Sequence, residues 1–131
     1  MKIITPAMHG ILDYLLVVFL WASPTLFVIP NEIAGYVYAL GFIHLLLTAT
    51  TDYTSGIFKF ISFKIHGYIE LAVGAGLVIL AFTYFAYDER DKPFILGLGV
   101  AILIIFIFSD YNEIATSRLT AARMKGSKTT V

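Results

Sequence analysis

Cysteine is absent from this chain of 131 residues. That excludes disulfides, thiolate metal ligands and thiol redox chemistry, and says nothing of compartment. Charge is nearly as scarce: Asp, Glu, Lys and Arg make up 14% of the residues, against about 25% in an ordinary soluble domain. The 9 cations balance the 9 anions, so no whole-chain attraction draws the protein to nucleic acid or acidic partners. The sequence contains no His-Glu-x-x-His, no P-loop, no nucleophile elbow and no dinucleotide fingerprint. No large extramembrane domain is expected either. Any ligand is therefore small, lipidic or another membrane protein.

What is present is oil. Hydrophobic residues make up 59% of the chain, and uncharged runs cover 14–31, 33–51, 71–87 and 93–109. Each run is close to the roughly 17–25 residues with which a helix crosses about 30 Å of hydrocarbon. The runs are continuously apolar rather than alternating, which argues against a β-barrel. The expected fold is an all-α membrane protein of four transmembrane helices in a single domain. The first run is long for the core of a signal peptide, and only Lys2 precedes it; cleavage is not expected.

The cations set the expected orientation. With four spans, Lys2, Lys59, Lys64, Arg118, Arg123, Lys125 and Lys128 share one side, and only Arg90 and Lys92 lie on the other. The positive-inside bias puts both termini in the cytoplasm, with the protein in the inner membrane. It also argues against a dual-topology dimer, which needs near balance.

An internal repeat underlies the four spans. A shift of 57 residues carries His9, Gly10 and Asp13 onto His66, Gly67 and Glu70. A shift of 58 carries Thr51-Asp52-Tyr53 onto Ser109-Asp110-Tyr111 and Gly41 onto Gly99. Each repeat is a two-helix hairpin, the first over about 5–53 and the second over about 65–113. A connector over 54–64 and a basic tail over 114–131 complete the chain. Hairpins that insert the same way imply a pseudo-twofold axis along the membrane normal.

The stretches HGILDYLLVVFLWASPTLF and TDYTSGIFKFISFKIHGYIELAVGAGLVILAF resemble the SPW-repeat family of small bacterial membrane proteins. Members of that family carry one or more two-helix units with Ser-Pro-Trp toward the end of the first helix. The resemblance spans roughly residues 5–113. It departs at Thr25, which stands where the Trp would be, and at Leu80-Ala81, where the second repeat lacks Ser-Pro. What it implies is a fold rather than an activity.

The candidate site comes from spacing. Positions i and i+4 share a helical face, so His9 sits over Asp13 and His66 over Glu70. Both pairs open first helices, while Asp52 and Asp110 close second helices, so all six lie near one membrane boundary. Ionisable groups at that depth are costly and usually face the bundle interior. An imidazole backed by a carboxylate suits a proton or a divalent metal ion, with His9, Asp13, His66 and Glu70 as the ligand candidates. Haem ligation by the two histidines fits less well beside the acids.

A bland reading stands beside the sharp one. Thr5-Pro6 has the form of a helix N-terminus, whose dipole tolerates Asp13. Asp110 with Glu113 has capping-box spacing and suits the start of a further helix through Arg118 and Arg123. Asp52 suits a turn cap, and the deeper His44 an interhelical hydrogen bond or a polar path. Gly74, Gly76, Gly97 and Gly99 are expected to let helices approach closely, Pro24 to kink or end the first helix, and Trp21 to anchor at the interface. Three functions fit these residues: a non-catalytic scaffold or accessory protein for a membrane partner or a second copy, an ion, proton or metal site, and a small membrane enzyme. Lipid is the partner common to all three.

Overall fold

A computed structural model of the chain describes residues 2–127, without the side chains of 113–117. Lys128, at the end of the basic tail, and the side chain of Glu113 thus lie outside the described residues. The chain forms α1 (Pro6–Leu26), α2 (Asn31–Thr50), β1 (Thr51–Asp52), β2 (Ile61–Ser62), α3 (Phe63–Phe82), α4 (Asp91–Phe108) and α5 (Glu113–Ser127). Helices α1 to α4 are each long and apolar enough to cross a membrane. This is a small membrane-type helical protein.

Local chemistry sets the helix ends. Thr5 accepts a hydrogen bond from the Met8 amide at 3.3 Å, and Pro6 occupies the first helical turn, where its missing N–H costs nothing. Ser62 does the same for α3, accepting from the Ile65 amide at 3.3 Å. Both helices therefore start well before the uncharged runs at 14 and 71, which places each His–acid pair inside a span. Pro24 lies in the last turn of α1, and the helix stops two residues beyond it. Between α3 and α4, Asp88 Oδ1 accepts from the amides of Arg90 and Asp91 at 3.0 and 2.8 Å.

Helices pair in sequence order, α1 with α2 and α3 with α4. The backbones of the second pair approach closely at Gly74 and Gly99. A methyl added at Gly99 would sit 2.9 Å from the Gly74 carbonyl oxygen, closer than packed carbons tolerate. Gly76 and Gly97 face open space and have no such role. Trp21 lies across Gly41, and its indole donates to the Tyr38 carbonyl at 3.3 Å, tying α1 to α2. The two hairpins join through Leu20, Ile29, Val37, Leu98 and Ile102, one buried apolar cluster drawn from both. Outward faces stay oily: Leu15 and Val18 on α1, Phe42 and Ile43 on α2, Ile79 on α3 and Ile104 on α4 are all exposed. Such faces suit contact with lipid chains.

The strand segments matter more than their length suggests. β1 pairs with β2 in parallel, Thr51 against Ile61 and Asp52 against Ser62. A matching parallel bridge joins Ile4 to Ser109. In each place an extended stretch leaving a hairpin's second helix is held beside the residues that enter a first helix. The segments thereby deliver their side chains onto the N-terminal ends of α1 and α3.

Candidate functional site

His9 and Asp13 come from α1, and His66 and Glu70 from α3. All four are buried, none more than 2% exposed. The Nε2 atoms of the two histidines face each other at 3.3 Å. His9 Nε2 lies 3.3 Å from Asp13 Oδ1 and 3.2 Å from Glu70 Oε2. His66 Nε2 lies 3.3 Å from Asp13 Oδ2 and 3.4 Å from Glu70 Oε1. One ligand atom from each of the four residues can be chosen so that all lie within 4.8 Å of one another. The two i, i+4 pairs therefore form one centre.

A second layer orients the first. Ser109 Oγ lies 2.7 Å from the Ile105 carbonyl and 2.6 Å from His9 Nδ1. The carbonyl can only accept, so the single hydroxyl proton goes there and the imidazole Nδ1–H donates to Ser109. Thr51 repeats this arrangement: its Oγ1 lies 2.6 Å from the Leu47 carbonyl and 2.7 Å from His66 Nδ1. In its neutral form each imidazole therefore carries its proton on Nδ1 and turns a bare Nε2 lone pair inward.

The carboxylates are treated alike. Tyr53 donates its hydroxyl to Asp13 Oδ2 at 2.9 Å, and Tyr111 donates to Glu70 Oε2 at 3.1 Å. Burial first, and then the adjacent carboxylate, pushes each phenol well above the usual range, so both remain donors. What is left over is informative. Among the described residues, Asp13 Oδ1 and Glu70 Oε1 are buried with no hydrogen-bond partner.

Aromatic rings close the centre. Phe63 sets its edge against His9, with centroids 4.9 Å apart, and packs on Tyr53 and Tyr111 at 5.2 and 4.6 Å. The tyrosine rings fit because Gly10 and Gly67 leave room: a methyl at Gly10 would come within 2.9 Å of the Tyr53 ring, and one at Gly67 within 2.6 Å of Tyr111.

Two of the six carboxylates and histidines read from the sequence near this boundary lie outside the centre. Asp52 forms a bidentate pair with Arg118 of α5, both contacts at 2.7 Å. Asp110 Oδ1 accepts from the Asn112 amide at 3.0 Å, a turn immediately before α5. The reason is the period of an extended chain, which sends successive side chains to opposite faces. In Thr51-Asp52-Tyr53 and Ser109-Asp110-Tyr111 the outer two residues face the histidines, and the aspartate between them faces away. Thr51, Tyr53, Ser109, Tyr111 and Phe63 are thus the participants that a search for carboxylates and histidines passes over. The repeated hydroxyl-Asp-Tyr triplet was the available signal. His44 does reach the centre, with Nε2 3.6 Å from Asp13 Oδ1.

Chemically, four electron-pair donors, two of them carboxylates, converge in a buried pocket. A proton on one Nε2 relieves some of these contacts, but a divalent cation neutralises both carboxylates and satisfies all four donors. Tetrahedral ligands at the 2.0–2.1 Å typical of Zn–N and Zn–O bonds stand about 3.3–3.4 Å apart. The Nε2–Nε2, His9–Asp13 Oδ1 and His66–Glu70 Oε1 separations of 3.3, 3.3 and 3.4 Å match three of the six edges of such a tetrahedron. Comparison with known proteins finds no matching family model, no similar curated protein and no similar solved structure.

Proposed function

We propose that this chain is an integral membrane protein that binds one divalent transition-metal ion through His9 Nε2, Asp13 Oδ1, His66 Nε2 and Glu70 Oε1. The observation that carries this is the pair of orphaned carboxylate oxygens beside two imidazoles whose Nδ1 atoms each lie within hydrogen-bond distance of a hydroxyl, which leaves both Nε2 atoms to the centre. Convergence of all four groups favours an ion site over a scaffold in which each merely glues its own helices. Ion conduction has less support, because the cavity beside His44 is walled, apart from Glu70, by Leu, Ile and Val side chains. The test is equilibrium dialysis of chelator-treated protein in detergent against Zn²⁺ and Co²⁺. One tightly held ion per chain is expected, with visible Co²⁺ absorption bands, and both lost in Asp13→Asn and Glu70→Gln. A folded wild type that retains no stoichiometric ion would overturn the reading.

The same reading takes the hairpins as tandem repeats about a pseudo-twofold axis along the membrane normal, in line with the SPW-repeat resemblance. Matched hydrogen bonds support it. Ile3 N to the Phe108 carbonyl, at 3.0 Å, corresponds to Phe60 N to the Thr50 carbonyl, at 2.8 Å. Ser109 of the second hairpin supports His9 of the first, and Thr51 of the first supports His66 of the second. Neither hairpin completes its own half of the centre.

Orientation belongs to the proposal as well: the cation distribution puts the metal centre at the cytoplasmic boundary. A reporter active only in the cytoplasm is expected to work when fused after Val131 and to fail when inserted at 88–92. The opposite pattern would place the centre on the outer side.

A further inference from the structure

A cavity of about 30 Å³ adjoins the centre on its membrane-interior side. Most of its wall is hydrocarbon, including Leu20, Leu47, Val73 and Ile102, but two polar residues also line it, His44 and Glu70. His44 is 8% exposed, and its Nε2, 3.6 Å from Asp13 Oδ1, is a buried polar atom with no hydrogen-bond partner among the described residues. Glu70 is the other polar residue of the wall, and its Oε1 is likewise buried without a hydrogen-bond partner among the described residues.

Apolar cavities of this size stay dry, whereas a polar one holds water if it offers enough room and two to four partners. One water needs roughly 10–15 Å³ of such space, and the volume here exceeds that. Histidine is also an unusual choice for a wall otherwise built from Leu, Ile and Val. An imidazole left unpaired at this depth costs free energy unless something in the cavity bonds to it.

We propose that this cavity holds a water molecule that binds the metal as an exchangeable further ligand, positioned by His44. The inference rests on the metal-binding reading and refines it. The four protein ligands then leave one coordination position open, toward the membrane interior. Open positions distinguish metal sites that do chemistry from closed structural ones. The volume restricts the exchangeable ligand to water or a species about as small, so organic substrates cannot enter the position as it stands. His44 acts through the water and is a positioning residue rather than a fifth protein ligand.

Pulsed EPR of the full-length protein in detergent, loaded with one equivalent of Cu²⁺, tests this in H₂O and D₂O. Two features are expected in the wild type: modulation from the remote nitrogens of two imidazoles, and strongly coupled exchangeable deuterons from a bound water. Val73→Leu adds a methylene to the cavity wall and should abolish the deuteron coupling while keeping both imidazole signals and the copper stoichiometry. His44→Phe should likewise lose the coupled deuterons without losing an imidazole, and it serves as the test should Val73→Leu fail to fold. Wild-type protein with two imidazoles and no coupled deuterons would overturn the water ligand and leave the metal site standing. A third imidazole that disappears in His44→Phe would overturn it differently, making His44 itself the ligand. Copper bound without either signature would reject the metal centre itself.

Discussion

Alanine at His66 is expected to cost about 3–5 kcal/mol of stability, the usual effect of stripping one partner from a buried charged group. In the native centre His66 Nε2 separates Asp13 Oδ2 from Glu70 Oε1, at 3.3 and 3.4 Å. Without the ring, two carboxylates face each other across a cavity in a region sealed by Phe63, Tyr53 and Tyr111. Metal binding should be lost with it. A ligand present at a hundred times its dissociation constant contributes about 2.7 kcal/mol, so saturating Zn²⁺ should raise the unfolding midpoint of the wild type and leave His66→Ala unmoved. His9→Ala should behave the same way, because the two rings share both carboxylates. The double variant should therefore fall short of the sum by about 0.5–3 kcal/mol, whereas independent sites add within about 0.5. Unfolding curves in detergent, with Zn²⁺ and with chelator, measure all four corners of this cycle. Additive losses without any response to Zn²⁺ would mean two separate helix-end pairs and no shared centre.

Gly56→Ala is the second large effect, and it acts from outside the centre. A methyl there would collide with the backbone carbonyl of Thr51, an atom that cannot swing aside like a flexible side chain. The turn is tight because the Gly56 amide donates to the Tyr53 carbonyl at 3.1 Å while the Tyr53 amide donates to that of Thr51, also at 3.1 Å. Relief of the clash has to move the segment that carries both Thr51 Oγ1, 2.7 Å from His66 Nδ1, and the Tyr53 hydroxyl, 2.9 Å from Asp13. A loss of about 3 kcal/mol is expected, the upper end of what overpacking costs. Metal affinity should fall by roughly 10–100-fold, as when partners behind metal ligands are displaced. Gly76→Ala is the control: its methyl meets open space on a helix, so stability should stay level or rise by up to about 1 kcal/mol. Wild-type affinity in a folded Gly56→Ala protein would show that the turn does not hold the ligands in place.

The four spans and the shared face of each His–acid pair were legible in the amino-acid sequence because they depend on local periodicity. A run of 17 or more uncharged residues has few places to go but hydrocarbon. Positions 9 and 13, like 66 and 70, lie one above the other on any α-helix. Thr5-Pro6 marked the start of α1 through the hydrogen-bonding needs of a helix end, and Ser62 does the same work for α3. None of this requires knowing where another helix lies. The meeting of the two pairs does require it: a 3.3 Å contact between residues 9 and 66 is set by how two hairpins pack, and helical spacing carries no information across that gap. Glycines show the same division, since Gly74 and Gly99 touch while Gly76 and Gly97, equally small and on the same helices, face open space. Tertiary structure alone separated Asp52 and Asp110 from the centre, because the face an aspartate takes in an extended triplet depends on which neighbour its strand is held against. It also put Tyr53, Tyr111, Thr51 and Ser109 behind the ligands. Hydroxyl groups of that kind become directional only once a specific acceptor stands within about 3 Å, and that partner comes from the packing of the whole chain.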